Sequence, residues 1–249
     1  WSVRAMARET GLSKSSVQRL WSAHSIAPHR LKSFKLSKDL AFEEKFWDVV
    51  GLYLDPPDRA LLLCCDEKSQ CQALERSQPG LPLSQGHIRT QTHDYYRHGT
   101  VTLFAALDYL SGKVFAHTAG RHRHQEWLAF LRKIEREVSP ELDIHIICDN
   151  YATHKHPKVI AWLKGHARFH LHLTPTSSSW LNLVERFFGE LTQRRLKRGV
   201  FRAVKELEDA IYAYLAHRNL DPKPFTWTAP VQVILDKVKR ANDTLETLH

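Results

Sequence analysis

The stretch 61–66 constrains the fold most strongly, because five consecutive apolar residues, Leu61-Leu62-Leu63-Cys64-Cys65, end in the acidic residue Asp66. An apolar run of that length, preceded by two prolines and followed by polar residues, is typical of a strand buried on both faces. The same pattern recurs at residues 144–149, which end in Asp149. The two stretches predict a central sheet in which each carboxylate sits at a rigid edge, just past a buried strand.

The remaining periodicity predicts a mixed α/β fold, with a central sheet and flanking helices. A hairpin is expected from strands 100–107 and 113–118, and another strand at 169–173. Residues 73–99 show little periodicity, which predicts a long loop that is well suited to DNA contact. Apolar residues at helical spacing predict helices at 40–54, 124–138, 157–165, 180–197, 206–217 and 230–239.

Residues 2–24 predict two helices joined by a glycine-bearing turn, with Ser13 as the cap of the second helix. Val17, Leu20 and Trp21 form an apolar stripe on that helix. Its other face carries polar and basic residues near its start, as in the second helix of a helix-turn-helix, which enters a major groove. The residues predicted to contact DNA there are Lys14, Ser15, Gln18 and Arg19. A generic helical hairpin remains the alternative.

We predict two domains. Residues 1–38 form a DNA-binding segment and basic linker, and residues 39–249 form a catalytic domain. A complete helix-turn-helix unit needs a third helix, and none precedes residue 2. We therefore expect that part of the DNA-binding segment lies before residue 1.

The charge distribution favours a nucleic-acid partner. The formal net charge is +9. Residues 1–38 carry eight lysine or arginine residues against one glutamate, and residues 186–202 carry six against one. Two separate basic clusters are expected in a protein that binds a phosphate backbone, although a solvated basic surface would look similar. From these clusters we add Arg30, Arg194 and Arg195 to the predicted DNA contacts.

Composition also restricts the compartment and the possible metal sites. No apolar run approaches the roughly 18 residues of a membrane span, and the polar, basic segment after Trp1 leads us to expect no secretory signal. The four cysteines form no CxxC pair, so buried free thiols in a reducing compartment are expected rather than disulfides or structural zinc. We therefore expect a cytoplasmic protein.

A third acid, Glu185, lies in the helical pattern 180–197, on the flank of the apolar stripe formed by Leu181, Val184, Phe188 and Leu191. Phosphodiester chemistry needs an activated oxygen nucleophile and a stabilised leaving oxygen, and two divalent metal ions can supply both. Magnesium takes a few carboxylates and completes its shell with water and phosphate oxygens. Asp66, Asp149 and Glu185 are therefore our candidate catalytic residues and ligands of Mg²⁺ or Mn²⁺.

Three sequence runs resemble the acidic motifs of mariner-related bacterial insertion-sequence transposases, the insertion-sequence-630 group. They are Cys65-Asp66-Glu67-Lys68-Ser69, the run from Cys148-Asp149-Asn150 to His154-Lys155, and the long run from Leu173-Thr174-Pro175 to Glu185-Arg186-Phe187-Phe188. The spacing of 35 residues between the second and third acids is the close spacing that such enzymes show. The resemblance covers about residues 58–235, and the helix-turn-helix ahead of it also matches.

This resemblance implies a ribonuclease-H-like fold and a DDE-type endonuclease, with the three acids holding magnesium or manganese. It also implies DNA transposition, in which transposon ends are cleaved and the freed 3′ hydroxyls are joined to target DNA. Double-stranded DNA, as terminal inverted repeats and target, and a second copy of the chain would be the partners. Asn150, His154 and Asn182 follow or precede the acids closely, and we expect them to support the acids or to contact DNA.

Two other functions remain open from the sequence. A related nuclease or integrase on the same fold would cleave DNA without transposition. An inactive, domesticated DNA-binding regulator would retain the acids only as structure.

Overall fold

The computed structural model describes residues 2–24, 37–77 and 94–247, with the side chains of those up to residue 240. The chain divides into two compact units, Trp1–Leu36 and Ser37–His249. No helix within the described ranges is both long and apolar enough to cross a membrane.

The first unit contains two helices, α1 (Val3–Thr10) and α2 (Lys14–Ala23). Gly11 ends α1 in the left-handed conformation, with φ 71°, which glycine adopts without steric cost. The Ser13 hydroxyl caps α2 by accepting a hydrogen bond of 3.1 Å from the Ser16 amide. Val17 and Trp21, which lie four residues apart on one side of α2, are buried as predicted. Leu20 is 49% exposed, because it lies beside the strip of helix surface that is covered.

The second unit is built on one mixed sheet, in which the five strands have the order β3-β2-β1-β4-β5. The strands are β1 (Ala60–Arg76), β2 (Tyr95–Asp108), β3 (Val114–Ala119), β4 (Asp143–Cys148) and β5 (Phe169–Leu173). β1, β2 and β3 pair antiparallel, whereas β4 pairs parallel with both β1 and β5. The predicted mixed α/β architecture is therefore confirmed.

Helices cover both faces of this sheet. They are α3 (Phe42–Leu54), α4 (His124–Glu137), α5 (Pro157–Lys164), α6 (Val184–Arg194), α7 (Val204–Arg218) and α8 (Val231–Thr247). One core joins α3, α6 and α7 to the face that carries Leu62, Cys64 and Ile147. The other core packs α4 and α5 on the face that carries Leu63, Cys65 and Cys148. All four cysteines are buried free thiols, as the sequence indicated.

The structure corrects two predicted elements. β1 continues to Arg76 rather than ending at Asp66, because its second half pairs with β2 after β4 has ended. Gln70, with φ 52°, lies at an irregularity in this pairing between Lys68 and Cys71. Residues 73–76 and 95–99 of the predicted loop 73–99 are therefore strand, and its residues 78–93 lie outside the described ranges.

The predicted helix 180–197 is also shorter than expected. A 3₁₀ turn at Ser179–Leu181 comes first, and α6 begins only at Val184. Asn182 lies at this break, where its backbone is extended, with φ −89° and ψ 107°, and its side-chain amide bonds the sheet. Glu185 consequently lies in the first turn of α6 instead of its interior.

Candidate active site

Asp66 and Asp149 lie at the point where β4 ends beside β1. The last paired residues of these parallel strands are Cys64 and Ile147, and each aspartate lies two residues further along. Asp66 remains within β1, opposite Ala105 of β2, and its side chain shares the face of Cys64. Because both aspartates continue from one register pair, the sheet brings them to the same edge.

Glu185 is fixed to this edge through Asn182. The buried Asn182 Nδ2 donates a hydrogen bond of 2.8 Å to the carbonyl oxygen of Cys65, the residue before Asp66. The backbone carbonyl oxygen of Asn182 accepts a hydrogen bond of 3.2 Å from the backbone amide of Glu185. The start of α6 is thereby attached to β1 directly beside the first aspartate.

Electrostatic coupling links the three acids. Asp66 is only 9% exposed, and burial, followed by the charges of Asp149, Glu67 and Glu185, raises its pKa to about 7. Burial also raises the pKa of Glu185, which Asp149 raises further and Lys68 opposes. Carboxylates that disfavour one another's ionisation without a cation are typical of sites that hold one.

His154 joins Asp149 to a second carboxylate that the sequence did not reveal. Its ring is fully buried, and Nδ1 forms a hydrogen bond of 3.1 Å with the backbone carbonyl oxygen of Asp149 while also lying 3.1 Å from Asp149 Oδ1. Its Nε2 lies 3.2 Å from Glu67 Oε2. Burial disfavours the charged imidazole, but its neighbours Cys148, Asp149 and Glu67 raise its pKa well above the usual value. The Tyr151 amide donates a further hydrogen bond of 3.1 Å to Asp149 Oδ1. One carboxylate oxygen of Asp149 is therefore held by the protein itself.

A small groove of about 190 Å³ opens beside Asp149, lined by residues 149–151 and 174–179. Asn150 Nδ2 donates to Thr176 Oγ1 across it at 3.1 Å. Asp39 fixes the same loop by accepting from the Thr176 amide at 3.0 Å, and its ion pair with Lys45 lowers its pKa to about 2. Asp39 and Glu67 act through partners far away in the chain. Glu67 stands in the first acidic run, but nothing local in the sequence indicates its contact with His154.

The residues predicted to contact DNA are mostly solvent-accessible. Those on α2, namely Lys14, Ser15, Gln18 and Arg19, are all exposed. Arg194 forms an ion pair with Glu190 at 3.1 Å, and the guanidinium of Arg195 lies 5.9 Å from the centre of the Phe201 ring. Arg30 lies outside the described residues.

The donor set fits a hard divalent cation. Asp66, Asp149 and Glu185 offer only carboxylate oxygens, which Mg²⁺ and Mn²⁺ prefer. Across residues 2–24, 37–77 and 94–247, no three His, Cys, Asp or Glu side chains form a preassembled ligand cluster. Magnesium needs few protein ligands, because water and substrate oxygens complete its octahedral shell.

The fold is similar to that of transposase structures. The Mos1 mariner paired-end complex with Mn matches with a TM-score of 0.59 at 14% identity, over 87% of this chain and 67% of that chain. The Mos1 paired-end complex with Mg gives a TM-score of 0.59 at 14% identity, over 90% and 75%. The Mos1 strand-transfer complex also gives 0.59, at 13% identity over 90% and 75%. No curated protein matches the sequence significantly.

These matches confirm the predicted ribonuclease-H-like fold, with its mixed five-stranded sheet and flanking helices. The family model of DDE superfamily endonucleases matches residues 62–208, more than half of the chain. That range contains β1, β4 and the first turn of α6, and with them all three acids. The chain therefore belongs to the DDE superfamily of endonucleases.

Proposed function

We propose that this protein is a metal-dependent DNA transposase that cleaves transposon ends and joins the freed 3′ hydroxyls to target DNA. The observation that carries the proposal is the meeting of three acids at one sheet edge, where Asp66 and Asp149 follow paired strand ends and Asn182 attaches the first turn of α6, with Glu185, beside Asp66. Burial and the charges of the other acids raise the pKa of Asp66 there to about 7. The fold that the chain shares with the Mos1 transposase complexes supports it.

In this mechanism Asp66, Asp149 and Glu185 hold Mg²⁺ or Mn²⁺. The bound metal would activate the oxygen nucleophile and stabilise the leaving oxygen of the phosphodiester. Asn182 keeps Glu185 next to Asp66, and His154 fixes one oxygen of Asp149 while leaving the other available. The rigid strands of the sheet keep these groups in place before DNA arrives, which reduces the reorganisation that the reaction requires.

We further propose that α2 presents Lys14, Ser15, Gln18 and Arg19 to a DNA major groove, where Gln and Arg pair with base edges. In this proposal residues 1–38 recognise terminal inverted repeats and residues 39–249 catalyse. A homodimer would hold two ends together. The assignment to the mariner-related insertion-sequence-630 group, and with it a bacterial cytoplasm and nucleoid, rests on the motif resemblance.

The first test is cleavage of supercoiled plasmid DNA in Mg²⁺ or Mn²⁺ by Asp66→Asn, Asp149→Asn and Glu185→Gln. Each should lose at least about 100-fold in rate, since metal-assisted charge stabilisation contributes several kcal/mol. Binding of a fluorescent duplex should persist. Asp143→Asn, at the exposed opposite end of β4, is the matched control and should cleave normally. Full cleavage by any of the three variants would remove that residue from the site.

The products separate the remaining alternatives. Joining of labelled 3′ ends to a second DNA indicates a transposase, whereas nicks without joined products indicate a nuclease on the same fold. If the wild-type protein binds DNA but neither cleaves nor joins it, and Asp149→Asn keeps every cellular effect, the protein is a DNA-binding regulator.

A further inference from the structure

A second, larger cavity lies next to the groove that contains Asp149. It has a volume of about 450 Å³ and is formed by residues 121–124, after β3, together with residues 151–153 and His156. Two arginines and three histidines line it, and none of its described lining residues is a carboxylate. We call it the Arg121 cavity. A concave surface lined only by neutral or basic groups favours an anion.

The arginines of the Arg121 cavity differ in their availability. Arg123 is already neutralised, because its guanidinium donates to the Glu126 carboxylate at 2.7 Å and 3.2 Å. Arg121 and His122 are exposed, and within the described part of the chain neither forms an ion pair or a hydrogen bond. The cavity therefore retains at least one cation that the protein leaves unmatched.

The imidazole rings of His124 and His156 stack in the same cavity, with their centres 3.6 Å apart and an interplanar angle of 3°. His124 Nε2 is buried without a hydrogen-bond partner in the described structure. Burial lowers the pKa of His124, and the nearby His156, Lys158 and Arg123 lower it further while Glu126 opposes them, so basic groups predominate around this ring. A bound anion would supply the missing hydrogen-bond acceptor and offset this potential.

The Arg121 cavity adjoins the acids through Tyr151, which lines both this cavity and the groove beside Asp149. The Tyr151 amide also donates to Asp149 Oδ1 at 3.1 Å. A polymer that presents a phosphodiester to the acids therefore has its next charged groups near the cavity. A lone small anion would gain nothing from this neighbourhood.

We propose that the Arg121 cavity binds a backbone phosphate of the DNA strand that passes the acidic site, one or more nucleotides from the reacting phosphodiester. This inference rests on the proposed function. The contact is independent of base sequence, since it is made to phosphate. It adds affinity and fixes the register of the strand relative to Asp66, Asp149 and Glu185.

The test measures binding of a fluorescein-labelled 30-base-pair duplex by anisotropy, with Ca²⁺ replacing Mg²⁺ and at several salt concentrations. Arg121→Gln and Arg121→Gln/His122→Gln are compared with Arg132→Gln, which removes one charge from an exposed position of α4. Loss of one phosphate contact should reduce the salt slope of log Kd by about 0.9. The Arg121 variants should bind about fivefold more weakly in low salt, a modest effect expected for one such contact. The Arg132 variant should match the wild type.

Three results would overturn the inference. If the wild-type protein cleaves DNA and the Arg121 variants keep its Kd and salt slope, the cavity does not bind a DNA phosphate, while the proposed function stands. Wild-type protein that neither binds nor cleaves DNA rejects both. Thermal stabilisation by inorganic phosphate that is lost in Arg121→Gln, with unchanged duplex binding, assigns the cavity to a free anion. A methylphosphonate at one duplex position that weakens wild-type binding but leaves Arg121→Gln unaffected would identify the bound phosphate.

Discussion

His154 connects Asp149, just beyond the end of β4, to a carboxylate of β1 that lies on the face opposite Asp66. Its Nδ1 contacts Asp149, and its Nε2 contacts Glu67, whose neighbour Asp66 lies on the other face of β1. A buried imidazole with both nitrogens occupied has one orientation, so His154 sets where the Asp149 carboxylate lies. We regard it as a positioning residue, because it acts on the reaction only through Asp149.

Substitution of His154 by asparagine or by glutamine tests its two contacts one at a time. The amide nitrogen of asparagine can replace Nδ1 and keep the bond to Asp149, whereas glutamine can replace Nε2 and keep the bond to Glu67. His154→Gln should therefore lower cleavage about 10- to 100-fold, the usual effect of losing a partner of a metal ligand. His154→Asn should retain more activity. The measurement is the cleavage rate as a function of Mn²⁺ concentration, in which the glutamine variant should need more metal.

Both variants lose the ring that packs 4.4 Å from Trp127, so each serves as the stability control for the other. Equal losses of activity in the two variants would show that His154 only fills space.

The start of α6 depends on one side chain more than on helix propensity. Asn182 bonds the Cys65 carbonyl of β1, and it is 1% exposed. Asn182→Ala leaves that carbonyl unpaired in the interior, which should cost on the order of 1–3 kcal/mol in urea unfolding. Cleavage should fall further than this stability loss predicts, because Glu185 loses its attachment beside Asp66.

Thr192→Ala is the matched control, since Thr192 Oγ1 donates its hydrogen bond to the Phe188 carbonyl within the same helix. The cleavage rates of both variants are measured in conditions where each variant is fully folded. If Asn182→Ala cleaves as fast as Thr192→Ala, the tie to β1 has no role in placing Glu185.

The sequence predicted the strands correctly where burial determines the structure. It missed strand structure where hydrogen-bonded pairing with a neighbouring strand determines it. β4 and the first half of β1 are apolar runs, and the sequence placed them correctly. The second half of β1 is polar and partly exposed, and it is strand because β2 offers backbone partners there. Such pairing leaves little trace in local periodicity. Glu67 was missed for a related reason, since its contact with His154 joins residues far apart in the chain.

The acidic site also affects the stability of the whole second unit. Asp66 has a pKa of about 7 in the fold and a usual value near 3.8. The folded state therefore binds more protons than the unfolded state between these values, and stability falls as pH rises from about 4 to about 7. Above that range the metal-free fold carries the full penalty of a buried, repelled carboxylate. This loss of stability is the cost that the proposed cation-binding site imposes on the metal-free fold.

Asp66→Asn should remove this penalty. In EDTA at pH 8 the variant should unfold at a higher temperature than the wild type. Its free energy of unfolding should be larger by on the order of a few kcal/mol. The difference should shrink towards pH 5, where Asp66 of the wild type is protonated in the fold. Mg²⁺ or Mn²⁺ should stabilise the wild type at pH 8 and leave Asp66→Asn nearly unchanged, because a cation stabilises only the state that binds it. Calorimetry with Asp143→Asn as the control measures both effects. A variant no more stable than the wild type at pH 8 would mean that the charge of Asp66 costs the fold little, and that the acids are not strained in the absence of metal.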